Sequence, residues 1–153
     1  MDDDSTHNVF RFFTEVGIIA QFSARLIEKN LPERITHLHF GLLGHMSRRP
    51  QGETPQQLAY AFQVPKTSMT HMIRLLEAEG YIEIVPNPED ARSKLAKITP
   101  KGGELLMQAY AKSAQDAATM DPPLLIDQME QCLEPLTQIR AQLDAARDKS
   151  GLR

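Results

Sequence analysis

The segment "KTSMTHMIRLLEAEG", residues 66–80, separates its side chains by chemistry when wound as a helix. With Lys66 at zero and about 100° per residue, Met69, Met72, Ile73 and Leu76 fall in an arc of roughly 240° to 340°. Lys66, Thr67, Thr70, His71 and Arg74 fall between roughly 0° and 140°. One face is therefore apolar. The other offers two cations, two hydroxyls and an imidazole. Short donors and acceptors beside basic side chains can reach base edges and phosphates in a major groove. Glu77 and Glu79 sit at the far end, away from phosphates if the helix enters by its N-terminus. A solvated amphipathic helix shows a similar face, so the helix alone does not decide its partner.

A second charged group follows. "NPEDARSKLAKIT", residues 87–99, lies between two runs that read as strands and carries Arg92 near its tip, then Lys94 and Lys97. A ribbon beside such a helix would bring Arg92 to a narrow, electronegative minor groove and lay Lys94 along the backbone. Asp90 stands two residues from Arg92 and is expected to hold it by a salt bridge rather than touch nucleic acid. Exposed ion pairs add little stability. A partner explains these charges better than the fold does.

These groups need elements to hold them. Residues 9–29 are apolar nearly all round and predict a helix covered on most sides. A second helix is expected from 33 to about 46, then a loop at 48–52. Thr54-Pro55-Gln56-Gln57 combines a cap, a proline at the first helical position and a capping box. It opens a short helix to residue 62. Gln63-Val64-Pro65 turns the chain into the helix at 66–79, which Gly80 stops. Strands are expected at 82–85 and 94–98. Thr99-Pro100 starts a long helix to about 120, the run Asp121-Pro122-Pro123 breaks it, and a last helix runs from 124 to about 147 with Pro135 as a kink. A short helix, tight turn, second helix and ribbon make a winged helix-turn-helix. The fold class is thus mainly α with a small β-ribbon.

Composition sets the outer bounds. The chain has 153 residues, 41% hydrophobic and 24% charged, which suits one soluble domain. The net charge is −3. From Arg48 to Lys101, however, eight basic residues meet six acidic ones, leaving +2 there and −5 elsewhere. The start, Met1-Asp2-Asp3-Asp4, lacks the basic-then-apolar character of a secretory signal, no run approaches a membrane span, and Cys132 is the single cysteine. A cytoplasmic setting is the expectation.

Other chemistry is thin. His37, His39 and His45 invite a metal, but the first two point about 200° apart on a helix and no carboxylate or cysteine completes a set. No metal or cofactor is expected. Cys132, among Met129, Leu133 and Leu136, reads as a small buried hydrophobe, with a redox switch as the alternative. Met46, Met69, Met72 and Met107 read as core. No nucleophile–base pair or phosphate loop points to an enzyme.

At this point the residues carry a family resemblance. Leu58-Ala59 opens the short helix, Leu76-Glu77-x-x-Gly80 ends the next, Asp90-x-Arg92-x-Lys94 forms the wing, and "ITPKG" (98–102) starts the following helix. Together they resemble the multiple-antibiotic-resistance regulator (MarR) family, and the flanking helices extend the likeness over nearly the whole chain. The resemblance implies a homodimeric transcription regulator on double-stranded DNA. It implies N-terminal dimerisation helices at 9–49, a winged helix-turn-helix at 50–100 and C-terminal dimerisation helices at 101–147, within a single 1–153 domain. It also implies a possible small aromatic or anionic effector. The DNA contacts expected on this reading are Lys66, Thr67, Thr70, His71, Arg74, Arg92 and Lys94, with Asp90 supporting the wing. The sequence departs from the family pattern at Gln63, where glycine is usual, at Pro65 for a capping serine, at His71 for arginine, and at Gly103 for a basic residue. The competing reading is a winged helix that binds protein rather than DNA. It would call for an apolar recognition face.

Two further expectations concern surfaces. Leu125, Ile126, Met129, Leu133, Leu136, Ile139 and Leu143 recur along the last helix and, with the first helix, predict a two-fold dimer. Phe12, Phe13, Phe40 and Met46 are candidate walls of an effector pocket, and Arg11, His37, His39 and His45 its candidate polar anchors.

Overall fold

The structure, a computed structural model, describes residues 3–121 and 123–150. It has eight elements: α1 (Asp3–Glu28), α2 (His37–Ser47), α3 (Pro55–Ala61), α4 (Lys66–Ala78), β1 (Ile82–Pro86), β2 (Lys94–Ile98), α5 (Pro100–Ala118) and α6 (Ile126–Ser150). The mainly helical class with one small antiparallel ribbon is borne out. The chain divides into two compact units, one up to Gln115 and one from Asp116 onward. Pro122, part of the expected break, lies outside the described residues, as do Met1, Asp2 and residues 151–153.

Three helix starts differ from expectation. The first helix begins six residues before Val9. Polar residues carry no periodicity to mark a start, although acidic ones favour a helix N-terminus through its dipole. The second begins at His37 rather than 33, because Pro32 accepts the Ile35 N–H at 2.8 Å in a turn that drives Ile35 into the core. The last helix begins at Ile126 rather than 124.

The core of the first unit forms around Ile35, Phe40, Leu42, Leu43 and Met46, with Leu58, Met69, Ile73, Leu76, Ile82, Ala96 and Leu106. The apolar arc of α4 is thus the arc that is buried. Met107 is instead 68% exposed, since it lies on α5 one residue past Leu106, which takes the inward position. Cys132 is exposed in the chain rather than buried. Its apolar neighbours Met129, Leu133 and Leu136 on α6 are exposed with it.

Local chemistry explains how α3 and α4 are set. Thr54 Oγ1 accepts the Gln57 N–H at 3.2 Å and Gln57 Oε1 accepts the Thr54 N–H at 2.8 Å, completing the capping box. Gln63 takes φ +53°, a left-handed conformation that costs a non-glycine residue about 1–3 kcal/mol. Gln63→Gly should therefore stabilise the fold by about 0.5–1 kcal/mol, net of the extra freedom glycine gives the unfolded chain. A urea midpoint below that of wild type would refute it. Gly80, at φ +76°, meets the same requirement with the residue suited to it.

The ribbon pairs Ile82 with Ile98, Ile84 with Ala96 and Pro86 with Lys94. A third partner, unmarked by any sequence pattern, joins them: Glu53 bridges Ala96, exchanging both backbone hydrogen bonds at 2.9 and 3.3 Å. The wing is thus stitched to the residue before the cap of α3. Behind it, Gly102 packs so closely on the chain that a Cβ there would clash with the Tyr81 carbonyl oxygen, so α5 approaches the ribbon where it carries no side chain.

The junction of α1 and α2 is held by two titratable side chains, Glu28 and His39. The Thr36 N–H donates to His39 Nδ1 at 3.1 Å, the role glutamine or glutamate takes in a capping box. Nδ1 must stay unprotonated to accept. Burial, and secondarily the charge of His71, hold the His39 imidazole below its ordinary 6.5. Glu28 accepts the His37 backbone N–H at 2.9 Å and faces the His37 ring at 2.7 Å, and the backbone bond leads in lowering its carboxyl below 4.5. Both shifts favour the deprotonated folded form. Stability is full above 6.5 for the histidine and above 4.5 for the glutamate, and is lost as pH falls below each value. His39→Gln keeps the cap and removes the titration. Its urea midpoint should fall less between about pH 7 and pH 5.5 than that of wild type. Equal pH dependence of the two would show that His39 is not responsible.

Candidate nucleic-acid interface

The polar arc of α4 is exposed: Lys66, Thr67, Thr70, His71 and Arg74 all face solvent. Their conformations are partly fixed. Thr70 Oγ1 donates to the Lys66 carbonyl at 2.8 Å, and Lys66 Nζ reaches Gln56 Oε1 on α3 at 3.3 Å. Pro65, standing where a capping side chain is usual, gives α4 no side-chain cap. The first-turn amides therefore carry the positive end of the helix dipole without a capping side chain from Pro65.

The wing tip is braced by its own polar side chains. Asn87 Oδ1 accepts the Glu89 N–H at 3.0 Å, Asn87 Nδ2 donates to Ser93 Oγ at 2.8 Å, and Ser93 N–H donates to the Asp90 carbonyl at 2.9 Å. Asp90 has a different role from the expected one. Its Oδ1 accepts the backbone N–H of Arg92 at 3.0 Å. The expected Asp90–Arg92 salt bridge is not formed among the described residues. Two residues apart, a carboxylate meets its neighbour's N–H in a tight turn more readily than it meets the end of a long side chain. The outcome is a shaped tip that leaves the Arg92 guanidinium exposed.

Helix and wing face each other across a cleft of about 600 Å³ lined by Thr54, Pro55, Gln56, Gln57, Lys66, Thr70, Asn87, Asp90, Ser93 and Lys94. Four of the eight residues picked out from the sequence meet here: Lys66, Thr70, Asp90 and Lys94. Thr67, His71, Arg74 and Arg92 do not line it. The first turn of α3 was missed. Its capping-box residues are the available signal, because the side chains that cap a helix start also stand at its exposed mouth. Two lysines, hydroxyls and side-chain amides suit an anionic backbone; Asp90 restricts where it lies.

The three histidines considered for a metal are engaged separately: His37 with Glu28, His39 with Thr36, and His45 with Glu53 at 2.7 Å. Phe40 and Met46, expected to wall an effector pocket, are buried in the core, whereas Phe13 is exposed and Phe12 half-buried. Among the described residues, no helix is long and apolar enough to cross a membrane.

Comparison with known proteins accords with this geometry. A family model described as the MarR family matches residues 35–93. The multiple antibiotic resistance protein MarR of Salmonella typhimurium is 33% identical over 118 residues, spanning 73% of this chain and 81% of that protein. Among solved structures, the transcriptional regulator BldR of Sulfolobus solfataricus superimposes with a TM-score of 0.74 at 22% identity, over 93% of this chain and 99% of its own. A MarR mutant from E. coli complexed with operator DNA gives a TM-score of 0.64 at 24% identity, over 84% and 95% of the two chains. These relatives are transcription regulators rather than enzymes. The chain belongs to the MarR family of winged-helix transcription regulators.

Proposed function

We propose that the protein is a homodimeric repressor that binds a near-palindromic operator in double-stranded DNA. The observation that carries this reading is the polar arc of α4. Across its first two turns it presents Lys66, Thr67, Thr70 and His71, then Arg74, with no acid among them, beside a wing that carries Arg92 and Lys94. Thr70 and His71 would read bases, Lys66 and Lys94 would contact phosphates, and Arg92 would enter the adjacent minor groove. Asp90 shapes the wing. Two such units related by a two-fold axis would meet half-sites about one helical turn apart.

Residues 9–49 and 101–147 supply the dimer in this reading, and 50–100 the DNA contacts. The support is apolar exposure: Phe10, Ile18, Ile19 and Phe22 on α1, and Ile126, Met129 and Leu133 on α6, all face outward in the single chain. Release by a small aromatic or anionic compound belongs to the same reading. The expected histidine anchors already have internal partners, so the two-lysine cleft is the better match to an anion.

The alternative, a winged helix that binds protein, needs an apolar recognition face. None of the large exposed apolar side chains lies on α4. Selection from random DNA pools followed by a salt titration tests the choice. Operator affinity should fall steeply with salt while a sequence preference remains. Binding with no preference and no salt dependence would end the DNA reading.

A further inference from the structure

His45 stands in the last turn of α2, and its surroundings are unusual. Its Nε2 is 2.7 Å from Glu53 Oε2, and both side chains are largely buried, at 13% and 16% exposure. Arg49 closes the group: its guanidinium reaches His45 Nδ1 at 3.2 Å and Glu53 Oε1 at 3.5 Å. A guanidinium only donates, so Nδ1 accepts and Nε2–H donates to the carboxylate. The ring edge meets the Phe62 ring with centroids 5.3 Å apart.

The positions of these partners matter more than their number. Glu53 immediately precedes Thr54, the cap of α3, and is the residue whose backbone bridges β2 at Ala96. Phe62 is the C-cap of α3. One imidazole on α2 therefore touches both ends of the short helix and, through Glu53, the wing. Gly52 adds a second constraint: at φ +83° it lies so close to β2 that a Cβ would meet Lys97 Cγ at 2.8 Å. The chain beside Glu53 has little room to adjust. Thr54 to Gln57, which Glu53 leads into, form one wall of the cleft.

We propose that His45 is a positioning residue for DNA recognition: a strut from α2 that sets α3 and the wing at the separation that the DNA backbone must enter. The inference rests on the operator-binding reading above and adds what fixes the geometry of that site. His45 touches no DNA in this scheme. It acts through Glu53, whose largely buried carboxylate would otherwise lack its closest partner, and a buried group left unpaired displaces its surroundings. Functional groups need positions held to about half an ångström by such supporting contacts.

The test compares wild type, His45→Phe, His45→Gln, Glu53→Ala and the His45→Phe/Glu53→Ala double variant on the selected operator and on random DNA. His45→Phe keeps an aromatic against Phe62 and loses both polar contacts. Its operator affinity should drop about tenfold while its affinity for random DNA, set by surface charge, stays within about threefold. His45→Gln can donate to Glu53 and accept from Arg49, and should restore operator affinity to within about threefold of wild type. The double variant should lose no more than His45→Phe alone, because both changes cut the same strut. If His45→Phe does not fold, Glu53→Ala, which leaves the packing on Phe62 in place, should show the same selective loss. The strut is refuted if the folded variants bind operator as wild type does, if His45→Gln fails to rescue, or if operator and random DNA weaken equally. A wild-type protein with no operator preference would instead refute the DNA reading itself.

Discussion

Arg92→Ala should weaken operator binding by about 1–3 kcal/mol, a factor of about 5 to 150. The side chain is exposed at the end of a tip that Asn87, Asp90 and Ser93 hold in shape, so the backbone that carries it would need little reordering on binding. An arginine in a narrow minor groove is attracted by the groove's potential as well as by individual phosphates. Its loss should therefore exceed that of a simple phosphate contact. Lys94→Ala provides the comparison: it should reduce the slope of log affinity against log salt by about one unit and weaken all sequences alike. Fluorescence anisotropy at several salt concentrations separates the two. If Arg92→Ala binds as tightly as wild type throughout, the wing does not contact DNA. Neither substitution should alter stability measurably, because both side chains are exposed and no hydrogen bond or ion pair holds that of Arg92 among the described residues.

The other large effect concerns assembly. Phe10→Glu combined with Leu133→Glu should convert the proposed dimer to a monomer and lower operator affinity by on the order of 100-fold or more, since two linked half-site contacts would become one. Phe10 is 72% and Leu133 63% exposed in the single chain. A protein rarely leaves large apolar side chains in such number on long helices unless another surface covers them. A carboxylate placed in that contact would be buried without a partner, at a cost of several kcal/mol per site. The substitutions lie outside the core of the first unit, so α3, α4 and the wing should fold as before. Sedimentation would show the change in mass and an operator titration the loss of affinity. Sedimentation of the wild type as a stable folded monomer at micromolar concentration would remove the basis for the interface.

The elements and their order were legible in the sequence because each rests on short-range rules. Thr54, Pro55 and Gln57 define a helix start by local hydrogen bonding alone. The apolar period of residues 66–76 identifies the buried face of α4, and Gly80 marks a left-handed stop. Gln63 departs from the usual glycine, and the structure shows the same left-handed backbone there, now under strain. Periodicity was silent where residues were polar, hence the early start of α1. It could not distinguish Met107 from Leu106, since which of two adjacent apolar residues turns inward depends on the helix's rotation against its neighbours.

The sequence by itself therefore determined the winged-helix arrangement, the helix α4 and the basic character of its exposed face, because those depend on residue type and on spacing along one element. The tertiary structure decided what joins the elements. It bridged Glu53 to Ala96, placed His45 between Glu53 and Phe62, turned Asp90 onto the Arg92 backbone and brought the first turn of α3 to the mouth of the cleft. The physical reason is range. Caps and amphipathic periods act over about four residues, whereas a hydrogen bond between groups far apart along the chain, such as Glu53 and Ala96, exists only after packing has brought them together.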